Sequence, residues 1–188
     1  MWRKLAPNDI DGISTYMSVG STFFFPDDYY RSLSVDDLIY MMNLKGDQIH
    51  FYLYEDKVND KYMIFCFRYA TAFLNPFDST EGMWRILDLA YRGNWGDVDT
   101  DEVSQEALRF GAKSIREKLD ELNIRYFWTL QNTDIAKYST FKFFEGTQKI
   151  FWEITERINI QDGHYKLICD RNPANKPIDE ETWISSGG

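Results

Sequence analysis

Cysteine and histidine are scarce: the chain of 188 residues holds two of each. Cys66 and Cys169 sit inside apolar runs. They read as buried thiols in a reducing compartment, not as a disulfide framework. His50 and His164 fall on expected strands far apart in sequence, with no Cys or Asp at ligand spacing, which excludes a zinc site. Both are expected to be surface or cross-strand residues. No apolar run approaches the ~18 residues that cross a bilayer. Met1–Lys4 leads at once into a polar turn and offers no cleavable signal segment. Lys and Arg number 21 against 30 Asp and Glu, a net charge of −9. That balance excludes a nucleic-acid surface, which needs clustered cations, and a face for anionic membranes. Gly-x-Gly-x-x-Gly, the phosphate-loop lysine motif and Gly-x-Ser-x-Gly are all missing. So are internal repeats and low-complexity tracts.

Apolar residues make up 44% of the chain and aromatics 17%. That content, over this length, predicts one ordered domain with a sizeable core. Trp2–Leu5 reads as a short strand. Asp9 caps a helix with Ile10, Ile13 and Met17 on one face, ended by Gly20 and Ser21. Phe23–Phe25 is an apolar loop stopping at Pro26, and Asp27–Leu33 a helical turn. Ser34 caps a second helix with Asp37 three residues on, in capping-box fashion. Val35, Leu38, Ile39 and Met42 form its buried face. Gln48–Glu55 alternates strictly and pairs across Asp56–Asp60 with Tyr62–Tyr69, a hairpin. Thr71–Thr80, with Asn75–Pro76, reads as a loop.

Met83–Leu89 is the next strand. A helix follows over 103–122, with Val103, Ala107, Gly111, Ile115, Leu119 and Leu122 in one stripe. Arg109, Lys113 and Arg116 are among the residues expected on its solvent side. Asn123 ends it, and Ile124–Leu130 is strand-like. This strand–helix–strand predicts a parallel pair with a right-handed crossover. Asn132–Asp134 caps a helix through Phe144, stopped by Gly146. Ile150–Ile160 and His164–Cys169 are strands joined at Asp162–Gly163. Asp170–Gly188 is an extended tail anchored by Trp183, so the expected organisation is a domain over 1–169 and a tail over 170–188. The fold class is α+β, a mixed, mainly antiparallel sheet with flanking helices and one central parallel crossover.

The order of elements, with Tyr91–Arg92–Gly93 closing the fourth strand, resembles the GNAT family of N-acetyltransferases over Trp2 to Cys169. In that family the Tyr-Arg-Gly precedes the loop that holds the acetyl-CoA pyrophosphate. The resemblance implies cofactor contacts from Arg92, Gly93, Asn94 and Gly96. It places Glu81 where many members carry a catalytic base, and Tyr138 one residue before the position of a general acid. For Glu81 the competing reading is a strand-end carboxylate in solvent, and for Tyr138 an ordinary core or surface aromatic.

The loop departs from the family's pattern. Trp95 and Asp97 stand where glycines let backbone N–H groups close on a pyrophosphate. Asp99, Asp101 and Glu102 add like charge; one such pair at ~4 Å costs about 4 kcal/mol at most in an effective dielectric near 20. The same acids suit a helix start without any ligand. Asp97, Asp99 and Asp101 also echo the opening of a calcium loop, but Glu102 replaces its glycine and Leu108 its last carboxylate, which excludes an EF-hand.

Phe23–Phe25, Tyr29–Tyr30, Phe141–Phe144 and Phe151–Trp152 supply either a partner surface or a Phe-rich core. The segment from Phe127–Trp128 through Asn132–Thr133, Phe144 and Gly163–Leu167 is similar to the acetyltransferase-like internal virion proteins of short-tailed phages. That second resemblance implies a non-catalytic virion or accessory assembly protein. It would bind other proteins, virion components among them, and no cofactor, nucleic acid or membrane. It would reside in the host cytoplasm or virion. The alternative is an active N-acyltransferase that uses acetyl-CoA on an amine.

Overall fold

A computed structural model describes residues 1–20, 34–70, 82–96, 105–132, 147–161 and 164–174. The elements run β1 (Trp2–Lys4), α1 (Ile10–Gly20), α2 (Val35–Lys45), a 3-10 turn (Gly46–Gln48), β2 (Ile49–Asp56), β3 (Lys61–Ala70), β4 (Met83–Gly93), α3 (Gln105–Glu121), β5 (Tyr126–Asn132), β6 (Glu153–Gln161) and β7 (His164–Asp170). The architecture is mixed α+β, and β4–α3–β5 has the expected strand–helix–strand order. Contacts divide the chain into two compact units, Met1–Asn94 and Trp95–Gly188. The Phe23–Phe25 loop, the turns at 27–33 and 162–163, the 71–80 loop, the helix expected through Phe144 and the tail with Trp183 lie outside the described residues.

In the first unit, β1–β2–β3–β4 pair antiparallel in sequence order. The capping box at α2 forms as read. The Ser34 N–H donates to Asp37 at 2.6 Å, and the Asp37 N–H donates to the Ser34 hydroxyl at 3.2 Å. Asp9 caps α1 by accepting from the Gly12 N–H at 2.9 Å. The buried face of α1 differs from the expected one. Ile10 is 57% exposed, and the stripe is Gly12, Ile13, Tyr16 and Val19. Ile13, Tyr16 and Val19 join Leu38, Met42, Ile49, Phe51, Leu53, Ile64, Cys66, Leu87 and Ala90 in one core on the α1–α2 side of the sheet.

The opposite face is aromatic. Tyr52, Phe65 and Phe67 pack with ring centroids 5.1–5.5 Å apart, and Trp2 lies 4.7 Å from Phe65. Alternation in β2 therefore separates two buried sides instead of a core side from a wet one. His50, expected at the surface or across a strand pair, faces Phe67 in register but is only 4% exposed.

β4 continues to Gly93, beyond the expected end at Leu89. Ile64 pairs with Ala90 and Cys66 with Leu87, so Phe65 opposes both Asp88 and Leu89. Such a bulge shifts the facing of everything after it. It lets Leu87 and Ala90 enter the same core although regular alternation would separate them.

In the second unit, β5 and β6 both pair antiparallel with β7. Ala107, Gly111, Ile115 and Leu119 of α3 are buried as the stripe requires. Arg116, expected on the solvent side, is buried. Its guanidinium donates to Asp120 and to the carbonyls of Phe151 and Arg171. Residues 147–151 are helical, so the strand expected from Ile150 begins at Glu153. The Trp152 N–H bonds back to the Gln148 carbonyl at 3.1 Å, and Arg116 satisfies a carbonyl at the turn's end. Uncapped helix ends leave such carbonyls orphaned.

Candidate functional site

The expected cofactor residues begin at the end of β4. Arg92 donates to the Ser18 hydroxyl of α1 at 3.0 Å, and its guanidinium lies 4.5 Å from the centre of the Tyr62 ring. Gly93 has φ +102°, a region that favours glycine. A Cβ built there would overlap the Asp60 carbonyl oxygen. That same oxygen accepts the Asn94 N–H at 2.6 Å. Asp60 itself is left-handed at φ +51°, in a turn where Asn59 donates twice to the Asp56 carboxylate. Those bonds hold the exposed Asp56 carboxyl below its usual range. Arg92, Gly93 and Asn94 thus fasten the end of β4 to the β2–β3 turn and to α1.

The loop then turns onto α3. Trp95 is 7% exposed, and its ring centre lies 5.2 Å from that of Phe110. A Cβ on Gly96 would overlap the Glu106 carboxylate, which sits in the first turn of α3. The partial positive charge of a helix N-terminus is the feature that draws a phosphate. Here an acid of the chain's own stands beside it and beside the glycine. In this position the carboxylate would repel a pyrophosphate by like charge. Asp97, Asp99, Asp101 and Glu102 lie outside the described residues, as do Glu81 and Tyr138.

Asp88 was not singled out from the sequence. It holds φ +61° at the β4 bulge, where its half-buried carboxylate accepts the Tyr16 hydroxyl at 2.7 Å. Strained non-glycine residues and bulges cluster near functional sites. The available signal was a single acid inside Ile86–Ala90, where apolar alternation slips. Cys66, across the ladder from Leu87, is fully buried. Burial first, and then the nearby Asp88 charge, push its thiol well up. Burial likewise raises Cys169. Neither is an activated nucleophile, which needs a lowered pKa. Among the described residues no three His, Cys, Asp or Glu side chains converge on a metal position.

No family model matches the chain, and neither does any curated relative. Solved structures do. An aminoglycoside 6'-acetyltransferase type Ii superposes with a TM-score of 0.55 at 8% identity, covering 92% of this chain and 98% of that one. A chimera of the Vibrio cholerae spermidine N-acetyltransferase SpeG with hSSAT gives 0.53 at 10% identity, over 98% and 97%. A proposed GNAT-family acetyltransferase from Desulfovibrio desulfuricans gives 0.51 at 17%, over 90% and 96%. The fold is the GNAT fold. At these identities the likeness extends to the fold alone. Among the described residues no helix is long and apolar enough to cross a membrane.

Proposed function

We propose that this GNAT-fold protein is a non-catalytic assembly protein that works by binding other proteins. The setting suggested by its Phe127–Leu167 segment is a tailed-phage virion or a phage accessory complex. One observation carries the non-catalytic reading: the Glu106 carboxylate occupies the neighbourhood of Gly96, where a di-anionic cofactor would need bare backbone N–H groups. Titration of the full chain with acetyl-CoA by calorimetry tests it. The expected result is no heat of binding together with a stable complex with another virion protein. Binding at micromolar strength overturns the reading.

A second reading is an acetyl-CoA-dependent N-acyltransferase acting on an amine. It is favoured by neighbours that are themselves named acetyltransferases and by the strained Asp88 at the bulge. Under it, Arg92, Gly93, Asn94 and Gly96 would contact the cofactor, with Glu81 and Tyr138 as base and acid. A Glu106→Ala variant separates the two readings. It should bind acetyl-CoA no better than wild type if the loop has lost its use. It should bind more tightly if Glu106 merely opposes a working site.

A further inference from the structure

We propose that His50 is an acid-sensitive latch, which holds the corner between α2 and β2 closed at neutral pH and releases it on mild acidification. The corner has a hinge. α2 ends at Gly46, where φ is +50°, and the exposed 3-10 turn Gly46–Gln48 leads directly into the buried start of β2. His50 fastens that start. Its ring stacks on Trp84 of β4, with centroids 5.6 Å apart and planes at 28°. Trp84 in turn packs on Tyr69 at 5.3 Å. The Nδ1 of His50 is buried with no hydrogen-bond partner.

The groups facing the ring come from four elements. The 3-10 turn supplies the Asp47 backbone carbonyl as a hydrogen-bond acceptor and the Asp47 carboxylate as an opposite charge. β1 supplies Lys4, a like charge. β3 presents Phe67 and β4 presents Trp84, neither of them ionisable. Burial first, and then Lys4, lower the pKa of the imidazole below its ordinary value of 6.5. A second proton on the ring would add a charge beside an aromatic wall, which burial penalises more than Asp47 offsets. Opening at Gly46 returns the ring to water and lets it take the proton.

The sign follows from that difference. The open form, with an ordinary pKa, binds the proton more tightly than the closed form. Closure is therefore fully stable above 6.5 and weakens as pH falls below it. With one proton involved, the open-to-closed ratio rises by at most about tenfold per pH unit. Asp and Glu side chains titrate mostly below about pH 5. The interval just under 6.5 therefore belongs to the chain's two histidines.

Hydrogen exchange of the full chain at about pH 7.5, 6.5 and 5.5, corrected for intrinsic rates, tests the latch. Wild type and His164→Gln should show opening of residues 46–53 and 83–86 that grows up to about tenfold per pH unit below 6.5, while His50→Gln should show no such growth. A flat wild-type profile overturns the proposal, as does an unchanged slope in His50→Gln. Should His50→Gln fail to fold, proton NMR titration of the two wild-type imidazoles decides. A His50 value below 6.5 supports the latch and a value at or above it overturns it.

Discussion

Replacing Gly93 with alanine probes what that glycine is for. At φ +102° an L side chain is strained, at a cost of about 1–2 kcal/mol. The added Cβ also overlaps a backbone carbonyl, that of Asp60, not the yielding end of a side chain. Asp60 cannot easily move, being left-handed itself and opposite a strand pair at Lys61 and Gly93. Relieving the overlap displaces the Asn94 N–H from the same oxygen, which forfeits about 1 kcal/mol. The expected loss is about 2–3 kcal/mol, a factor of roughly 30 to 160 in the unfolding equilibrium. Gly46 is the control. It has φ +50° with nothing within 4 Å of an added Cβ, so Gly46→Ala should cost only about 1 kcal/mol. Urea unfolding of both variants, followed by circular dichroism and compared at equal slopes, reads the difference. If alanine at 93 costs no more than alanine at 46, the overlap is not real and Gly93 must be explained by something other than the chain's own backbone.

Four further outcomes follow from contacts in each unit. Asp88→Asn should change stability by less than about 0.5 kcal/mol, since asparagine adopts positive φ readily and still accepts from Tyr16. Tyr16→Phe should cost about 1–2 kcal/mol because it strips a donor from a half-buried carboxylate. Denaturant midpoints check both, and a costly Asp88→Asn would mean that the charge itself holds the bulge. Arg171→Met should cost about 3 kcal/mol. The Arg171 guanidinium is buried and donates to the Ile124 carbonyl, Asp120 and Asn123, and thermal unfolding would reveal its loss. Finally, neither Cys66 nor Cys169 should react with Ellman's reagent in the native protein near neutral pH, because burial raises both thiols. Both should react in denaturant, and a rapidly reacting native thiol would contradict their burial.

What the sequence made legible was local. The Ser34–Asp37 capping box spans three residues, and both of its bonds form. The β2–β3 hairpin and the α3 stripe likewise follow from periodicity within one element. The misreadings arose where distant parts of the chain decide. Arg116 looks like a solvated helix residue, but its partners are carbonyls 35 and 55 residues away. The buried face of α1 carries Tyr16, which reaches Asp88 72 residues on, together with Ile13 and Val19, and Ile10 lies outside it. Periodicity ends β4 at Leu89 because the bulge opposite Phe65 breaks the alternation on which that reading rests. In the candidate site, Arg92, Gly93, Asn94 and Gly96 are expected as cofactor contacts; Arg92 and Gly93 are the last two residues of β4, and Asn94 and Gly96 follow it. The contacts that engage them, from Ser18, Asp60 and Glu106, could not be read from spacing.

Those contacts change what the loop's glycines mean. A glycine in a phosphate-binding pattern is informative only if nothing else requires it. Gly93 is required by its φ and by the Asp60 backbone carbonyl, whereas Gly96 meets only the end of the flexible Glu106 side chain. Gly93 is therefore accounted for without a cofactor and does not by itself argue for acetyl-CoA. Discrimination passes to the residues that a pyrophosphate would not tolerate. Trp95 is buried against Phe110, so its bulk serves the packing of α3. Glu106 lies where the helix end favours an anion, so its charge serves the helix. Trp95 and Glu106 thus each have structural employment within the GNAT fold, whatever else the segment does.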